Sequence, residues 1–237
     1  MPSQEKVTAK PVAVGEVQIP MSSELVRKMI HLASVLISIL YAYSDQATVL
    51  WILVPMTAIS IFFDYGRHYS KVLNKFVNVV FGSILREHEK DSSRKLLSGA
   101  TYVLISAILC VIIFPKVIAI CAFTILIICD TAGALFGRRF GKHPFFDKSR
   151  EGSMAFIVTG IIVVLLTPKI SDTFGEIAIG IAGVIVAGII EAASTRLKLD
   201  DNFSIPLSAG IVMWLGYYLL AWLIPVPYET IVSQLMN

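Results

Sequence analysis

Lys116-Val-Ile-Ala-Ile-Cys-Ala-Phe-Thr-Ile-Leu-Ile-Ile-Cys-Asp130-Thr-Ala-Gly133-Ala-Leu-Phe-Gly137-Arg138-Arg139-Phe-Gly141-Lys142 is the stretch that decides the fold. Residues 117–129 carry no charge, then an acid arrives, then a cluster of bases. The charge-free part is short for a bilayer, which takes about 20 residues of helix. Continuing the helix through Asp130 to residue 136 restores full length. A helix that is apolar all round is buried, either in a large core or in a membrane. The stretch 177–190 repeats the pattern and ends at Glu191. Together with the charge-free runs elsewhere, these segments place seven helices, at 27–43, 47–64, 97–115, 117–136, 153–168, 174–193 and 205–224.

Composition agrees with that reading. The chain has 237 residues, 56% hydrophobic and 16% charged, with a mean hydropathy of +0.75. Soluble domains hold about 25% charged residues, so the chain departs from them in the direction of membrane proteins, and disorder, a collagen-like fibre and a disulfide-stapled secreted scaffold are excluded. The net charge of +3 is too small to argue for nucleic acid. Cys110, Cys121 and Cys129 lie inside apolar runs without C-x-x-C spacing, and read as small buried hydrophobes. Residues 1–23 are polar, lack the apolar centre of a secretory signal, and read as a flexible tail. The remainder, 24–237, reads as one polytopic catalytic domain.

Basic residues set the orientation. With the N-terminus inside, the inner side holds 18 of the 20 Lys and Arg residues, and the outer side holds only Lys116 and Lys169. The positive-inside rule therefore predicts a cytoplasmic N-terminus and an outer C-terminus. The inner segment 67–90 carries Val72, Leu73, Phe76, Val77, Val80, Phe81 and Ile84 at helical spacing, interrupted by Lys71, Lys75 and Asn78. That pattern predicts an amphipathic interfacial helix. The expected fold is an all-α integral membrane protein of seven transmembrane helices and one interfacial helix.

Four inner-side clusters carry chemistry. Glu24, Arg27, Lys28 and His31 share one helical face by their i, i+3, i+4, i+7 spacing, which suits an anionic headgroup or a polyphosphate. Asp130 costs about 2.5–3.5 kcal/mol to place in a span, so it is expected to face protein or water and to have a function. Gly133, Gly137 and Gly141 follow it on nearly the same side, ahead of Arg138, Arg139 and Lys142. Close helix packing explains the glycines alone; with an acid and bases at the ends they read as a groove for a metal–phosphate group. Lys148-Ser149-Arg150-Glu151-Gly152-Ser153 places cations beside a helix start, where Ser149 and Ser153 are candidate caps. Glu191, with Thr195 on its face, and Asp201-Asn202 ahead of Pro206 offer the hard oxygen ligands that suit Mg²⁺. A P-loop is excluded: only three residues separate Gly137 from Gly141, and His143 stands where the hydroxyl is needed. Acids ringed by Lys and Arg at a membrane edge fit phosphoryl or nucleotidyl transfer, with a lipid as one substrate.

Taken in order, Glu24…Arg27-Lys28…His31, Leu85-Arg86-Glu87-His88-Glu89 with Ser98-Gly99-Ala100-Thr101-Tyr102, Asp130-x-x-x-Ala134-x-x-x-Gly137-Arg-Arg-Phe-Gly141-Lys142, Lys148-Ser149-x-Glu151-Gly152, and Glu191 with Asp201-Asn202-x-x-Ile-Pro206 resemble the polyprenol kinase family. That family includes dolichol, phytol and farnesol kinases and CTP-dependent diacylglycerol kinases, and is related to phosphatidate cytidylyltransferases. The resemblance implies a multi-pass enzyme, active on the cytoplasmic face, that uses CTP and Mg²⁺ or another divalent cation to phosphorylate a lipid alcohol. It implies a metal or phosphate role for Asp130 and triphosphate contacts for Arg138, Lys142 and Lys148. It also implies that Asp201 and Asn202 complete the nucleotide–metal site. Arg27 and Lys28 are expected on phosphate, and His31 there or as the proton acceptor. Glu191 joins the expected metal ligands; Gly137, Gly141, Ser149 and Gly152 join the expected nucleotide site. A cytidylyltransferase wants the same residues and stays open as an alternative. A transporter fits less well, because the charges crowd one edge.

Overall fold

A computed structural model describes residues 21–82, 97–170 and 173–223. The expected tail 1–23 lies almost wholly outside these residues, as do the Glu24 side chain and the Leu85–Glu89 motif. The first expected span is two helices, α1 (Met21–Ala33) and α2 (Val35–Tyr43), broken at Ser34, whose amide donates to the His31 carbonyl at 2.9 Å. There follow α3 (Gln46–Tyr69), α4 (Lys71–Phe81), α5 (Gly99–Ile113) and α6 (Lys116–Phe140). A two-stranded hairpin, β1 (Pro144–Phe145) and β2 (Lys148–Ser149), leads into α7 (Arg150–Leu166). The chain ends its described part with α8 (Phe174–Ala192), the short α9 (Ser194–Leu197) and α10 (Asp201–Leu223).

Five helical stretches among the described residues are long and apolar enough to cross a membrane: Leu25–Tyr43, α3, α6, α8 and Asp201–Leu220 of α10. The remaining expected spans are the helices α5 and α7, of 15 and 17 residues. At about 1.5 Å per residue these reach roughly 22 and 25 Å.

Helix α6 is the axis of the bundle. It packs against α2, α5, α7 and α10, and 78% of its apolar window is buried. That burial is why its sequence is apolar on every side. The outer helices bury only one stripe and leave Trp51, Leu166 and Phe174 exposed, as expected of surfaces whose solvent is lipid. The three cysteines are free and buried.

Several boundaries differ from the sequence reading, three of them where they bear on the site or on the interfacial helix. Helix α6 runs on to Phe140, four residues beyond the expected end, so Asp130 sits about 15 Å from its helix end rather than about 9 Å. Helix α10 begins at Asp201, with Pro206 inside it rather than at its start. The missing proline N–H frees the Asn202 carbonyl, and the Ser106 hydroxyl of α5 donates to it at 2.5 Å. The amphipathic helix occupies only 71–81 of the expected 67–90. Residues 67–69 form the last turn of α3 instead, and 83–90 lies outside the described residues. On α4, Val77 is buried and Phe76 stacks on Phe63, whereas Val72 and Val79 stay exposed beside Lys71 and Lys75.

Candidate active site

Asp130 is carried by the most buried helix and is itself only 7% exposed. A buried carboxylate needs partners, and α1 supplies them. Lys28 Nζ donates to Asp130 Oδ2 at 2.6 Å, and His31 Nε2 lies 3.5 Å from the same oxygen. The i, i+3 spacing of Lys28 and His31 is what lets one helix face present both. Arg27, half-buried, precedes them.

A second knot lies beside the first. Lys148 Nζ contacts Glu191 Oε1 at 3.0 Å and Asp201 Oδ2 at 3.1 Å. Burial would lower the lysine pKa, but the Asp201 and Glu191 carboxylates more than offset this and hold its ammonium above the ordinary lysine range. One carboxylate oxygen each from Asp130, Glu191 and Asp201 falls within 4.8 Å of the others. Three residues from three helices, up to 71 positions apart in sequence, thus converge. Asp201 Oδ1 is buried without a hydrogen-bond partner. Hard oxygen donors from three carboxylates at this separation, with one Asp201 oxygen left unsatisfied, fit a divalent cation.

Local structure delivers Lys148 to this point. The tip of the hairpin docks on the α8–α9 corner: the Asp147 amide donates to the Ala192 carbonyl at 3.0 Å. Asp147 in turn accepts from the Arg196 amide and Arg196 Nε, both at 2.9 Å. Two helix ends that would leave backbone groups unpaired are thereby satisfied. Phe146 takes a positive φ of 50° to make the tip, and the Arg196 guanidinium lies 5.5 Å from its ring centre. At the hairpin base, Glu151 accepts from the amides of Lys142 and His143 and pairs with His143 Nδ1 at 2.7 Å. That imidazole contact and the amides hold the Glu151 carboxyl low, at about 2.

The glycine face is not an open groove, because α7 lies in it. A Cβ on Gly137 would sit 3.0 Å from Ser149 Oγ, and one on Gly152 would sit 2.8 Å from the Gly133 carbonyl oxygen. Gly141 likewise leaves room for the Ser149 side chain. The glycines let α6 and α7 touch backbone to backbone, the reading that packing alone would give. Ser149 caps α7 by accepting from the Gly152 amide at 3.2 Å. Ser153, the other candidate cap, sits inside the helix instead. Arg138 is half-buried and Lys142 exposed at the end of α6. Asn202 adjoins Asp201, its amide bonded to Asp200 Oδ1 at 2.9 Å. Thr195 falls on the separate turn α9, so it does not continue the Glu191 face.

Sequence reading missed the Asp147–Arg196 latch, whose members are 49 residues apart. It also missed Asp64, buried on α3, which accepts from the Ser98 amide at 2.7 Å and the Thr101 hydroxyl at 2.6 Å. The Ser98–Thr101 motif is visible in the sequence, but its partner is the last residue of the span expected over 47–64, and no local pattern links the two.

No family model matches the chain. An uncharacterised protein of Rickettsia prowazekii is 30% identical over 194 residues, covering 82% of this chain and 95% of its own length. A phytol kinase of Synechocystis is 33% identical over 103 residues, 40% of this chain and 41% of the kinase. A CTP-dependent diacylglycerol kinase of Schizosaccharomyces pombe is 25% identical over 164 residues, 64% of this chain and 73% of the kinase. No solved structure matches.

Proposed function

We propose that this chain, which belongs to one family with the Rickettsia prowazekii protein and is distantly related to the named lipid kinases, transfers the γ-phosphoryl group of CTP to the hydroxyl of a membrane lipid. The products are a lipid phosphate and CDP. The observation that carries the reading is the convergence of Asp130, Glu191 and Asp201 within 4.8 Å, interleaved with Lys28, His31 and Lys148.

Phosphoryl transfer is chiefly a matter of positioning and of stabilising charge on the phosphate oxygens. Asp130, Glu191 and Asp201 would hold Mg²⁺ or a similar ion, which would supply neutralisation of phosphate charge. Lys148, already held between Glu191 and Asp201, bears on the triphosphate, with Arg138 and Lys142 at its outer edge and Asn202 beside the nucleotide. Gly137, Gly141 and Gly152 contribute by the close approach that seats Ser149 and the start of α7 here. Arg27 and Lys28 steer the phosphates from the α1 side. As the lipid oxygen bonds to phosphorus and the bond to the β-phosphate oxygen breaks, His31 receives the hydroxyl proton. The surrounding apolar helices accept the lipid, in a protein of seven spans with this site on the cytoplasmic face.

Purified protein with Mg²⁺, γ-labelled CTP and a panel of polyprenol, phytol and diacylglycerol tests the proposal. Label on one lipid, with CDP released, is the expected result. Pyrophosphate together with a CDP-lipid would replace the kinase by a cytidylyltransferase. Uptake of a solute into proteoliposomes without CTP turnover would replace both by a transporter.

A further inference from the structure

Ser153 is 6% exposed, and its hydroxyl has no hydrogen-bond partner in the structure. A buried hydroxyl without a partner costs free energy, and the position does not explain it as a cap, because Ser149 already fills that role. The packing of α7 on α8 shows what it faces. A Cβ on Gly180 would strike Val164, one on Gly160 would strike Val184, and one on Gly188 would meet Phe156. The helices are antiparallel, and each step of four along one is matched by a step of four back along the other. One further turn, from Phe156 to Ser153 and from Gly188 to Glu191, brings the serine level with the acid. At about 100° per residue, Ser153 shares the stripe of Gly160 and Val164, and Glu191 that of Gly180 and Val184.

We infer that Ser153 is an oxygen donor of the cation site, its hydroxyl serving the ion or the ion's Glu191 ligand. The inference rests on the cation reading of Asp130, Glu191 and Asp201 and adds an uncharged member to it. A hydroxyl suits this place because its oxygen can face a cation while its proton goes to a carboxylate. Asp201 Oδ1, also buried and unpartnered, is a second sign that the cluster is short of a ligand. With an ion present, both orphaned atoms acquire a role.

The test is Mn²⁺ binding to the purified full-length protein, read by electron paramagnetic resonance without nucleotide and again with CTP, alongside thermal unfolding. Ser153→Ala is expected to weaken Mn²⁺ by about 10–100-fold while leaving the unfolding temperature unchanged or raised, since it removes an unsatisfied group. Ser38, also buried and unpartnered but on α2 in an apolar cavity with Tyr41 and Phe123, supplies the control: Ser38→Ala leaves Mn²⁺ affinity as it was. Equal Mn²⁺ affinity in wild type and Ser153→Ala overturns the inference and spares the carboxylate site. A lowered unfolding temperature with unchanged affinity makes Ser153 a packing residue only. If the wild type binds no Mn²⁺ under either condition, the carboxylate site itself fails, and the role of Ser153 with it.

Discussion

Asp130 is approached by two cationic or potentially cationic groups on one oxygen, which makes its charge both tolerable and useful. Asp130→Asn keeps the shape and removes the charge. Losing a preorganised electrostatic group of this kind costs about 10²–10³-fold or more in turnover. The expected outcome is therefore loss of CTP-dependent lipid phosphorylation in a protein that still inserts and folds; near-normal turnover would remove Asp130 from the mechanism. Lys28 gives the complementary case. Lys28→Ala leaves the buried carboxylate with only the His31 ring, 3.5 Å away, beside it, at a cost of up to about 3–5 kcal/mol, whereas Lys28→Met combined with Asp130→Leu removes both charges and recovers most of that loss. Denaturant unfolding of the single and double variants in detergent measures the coupling, and strict additivity would mean that the pair contributes nothing. Both residues were legible in sequence, Asp130 as an acid inside a span and Lys28 by its helical spacing to His31. Their mutual contact was not, because 102 residues separate them and no pattern specifies which faces of α1 and α6 meet.

Element ends, more than element middles, assemble the site. The hairpin is anchored at its tip by Asp147 and Arg196 and at its base by Glu151, and Lys148 is delivered between those anchors. The Arg196 side chain is largely exposed, so this ion pair is worth only about 0.2–1 kcal/mol. Asp147→Ala is therefore expected to leave global stability almost unchanged while the hairpin loosens. The readouts are a raised KM for CTP and faster limited proteolysis within 141–149; if neither moves, the latch has no part in placing Lys148. The start of α10 offers a contrasting device. Ser106→Ala strands the Asn202 carbonyl that Pro206 leaves open, at about 1–3 kcal/mol, and calorimetry in detergent should show that loss together with weaker nucleotide binding. The span expected over 205–224 has Pro206 at its start, where early-turn proline is common. What moved it inward is a tertiary partner on α5, and local propensity carries no information about such a partner. The glycines after Asp130 show the same limit: their spacing is equally consistent with a groove and with a packed seam, and only the presence of α7 distinguishes them.

At the scale of the whole molecule, the distribution of charge and the position of the acids make one argument. Helix α6 carries Lys116 at its start and Asp130, Arg138 and Arg139 in its second half, so a single 25-residue helix separates the poor end from the rich one by about 37 Å. Lys116 Nζ donates to the Ser44 carbonyl in the α2–α3 turn, and Lys169 Nζ to the Leu165 and Thr167 carbonyls at the end of α7. Both lysines therefore belong to the end remote from Asp130. An ion or a nucleotide triphosphate cannot cross hydrocarbon cheaply, so the proposed kinase requires a site that opens toward the compartment that supplies CTP. Seven spans with the N-terminus inside meet that requirement, and an even count that left the N-terminus in place would put the C-terminus on the same side as the site. In a variant with Cys110, Cys121 and Cys129 replaced, a cysteine introduced at exposed Lys142 should react with a membrane-impermeant maleimide only from the cytoplasmic side. One introduced at Lys169 should react only from the other. Labelling of both positions from one side would break the proposed topology, and labelling of Lys142 from outside would turn the site away from its nucleotide and refute the kinase reading with it.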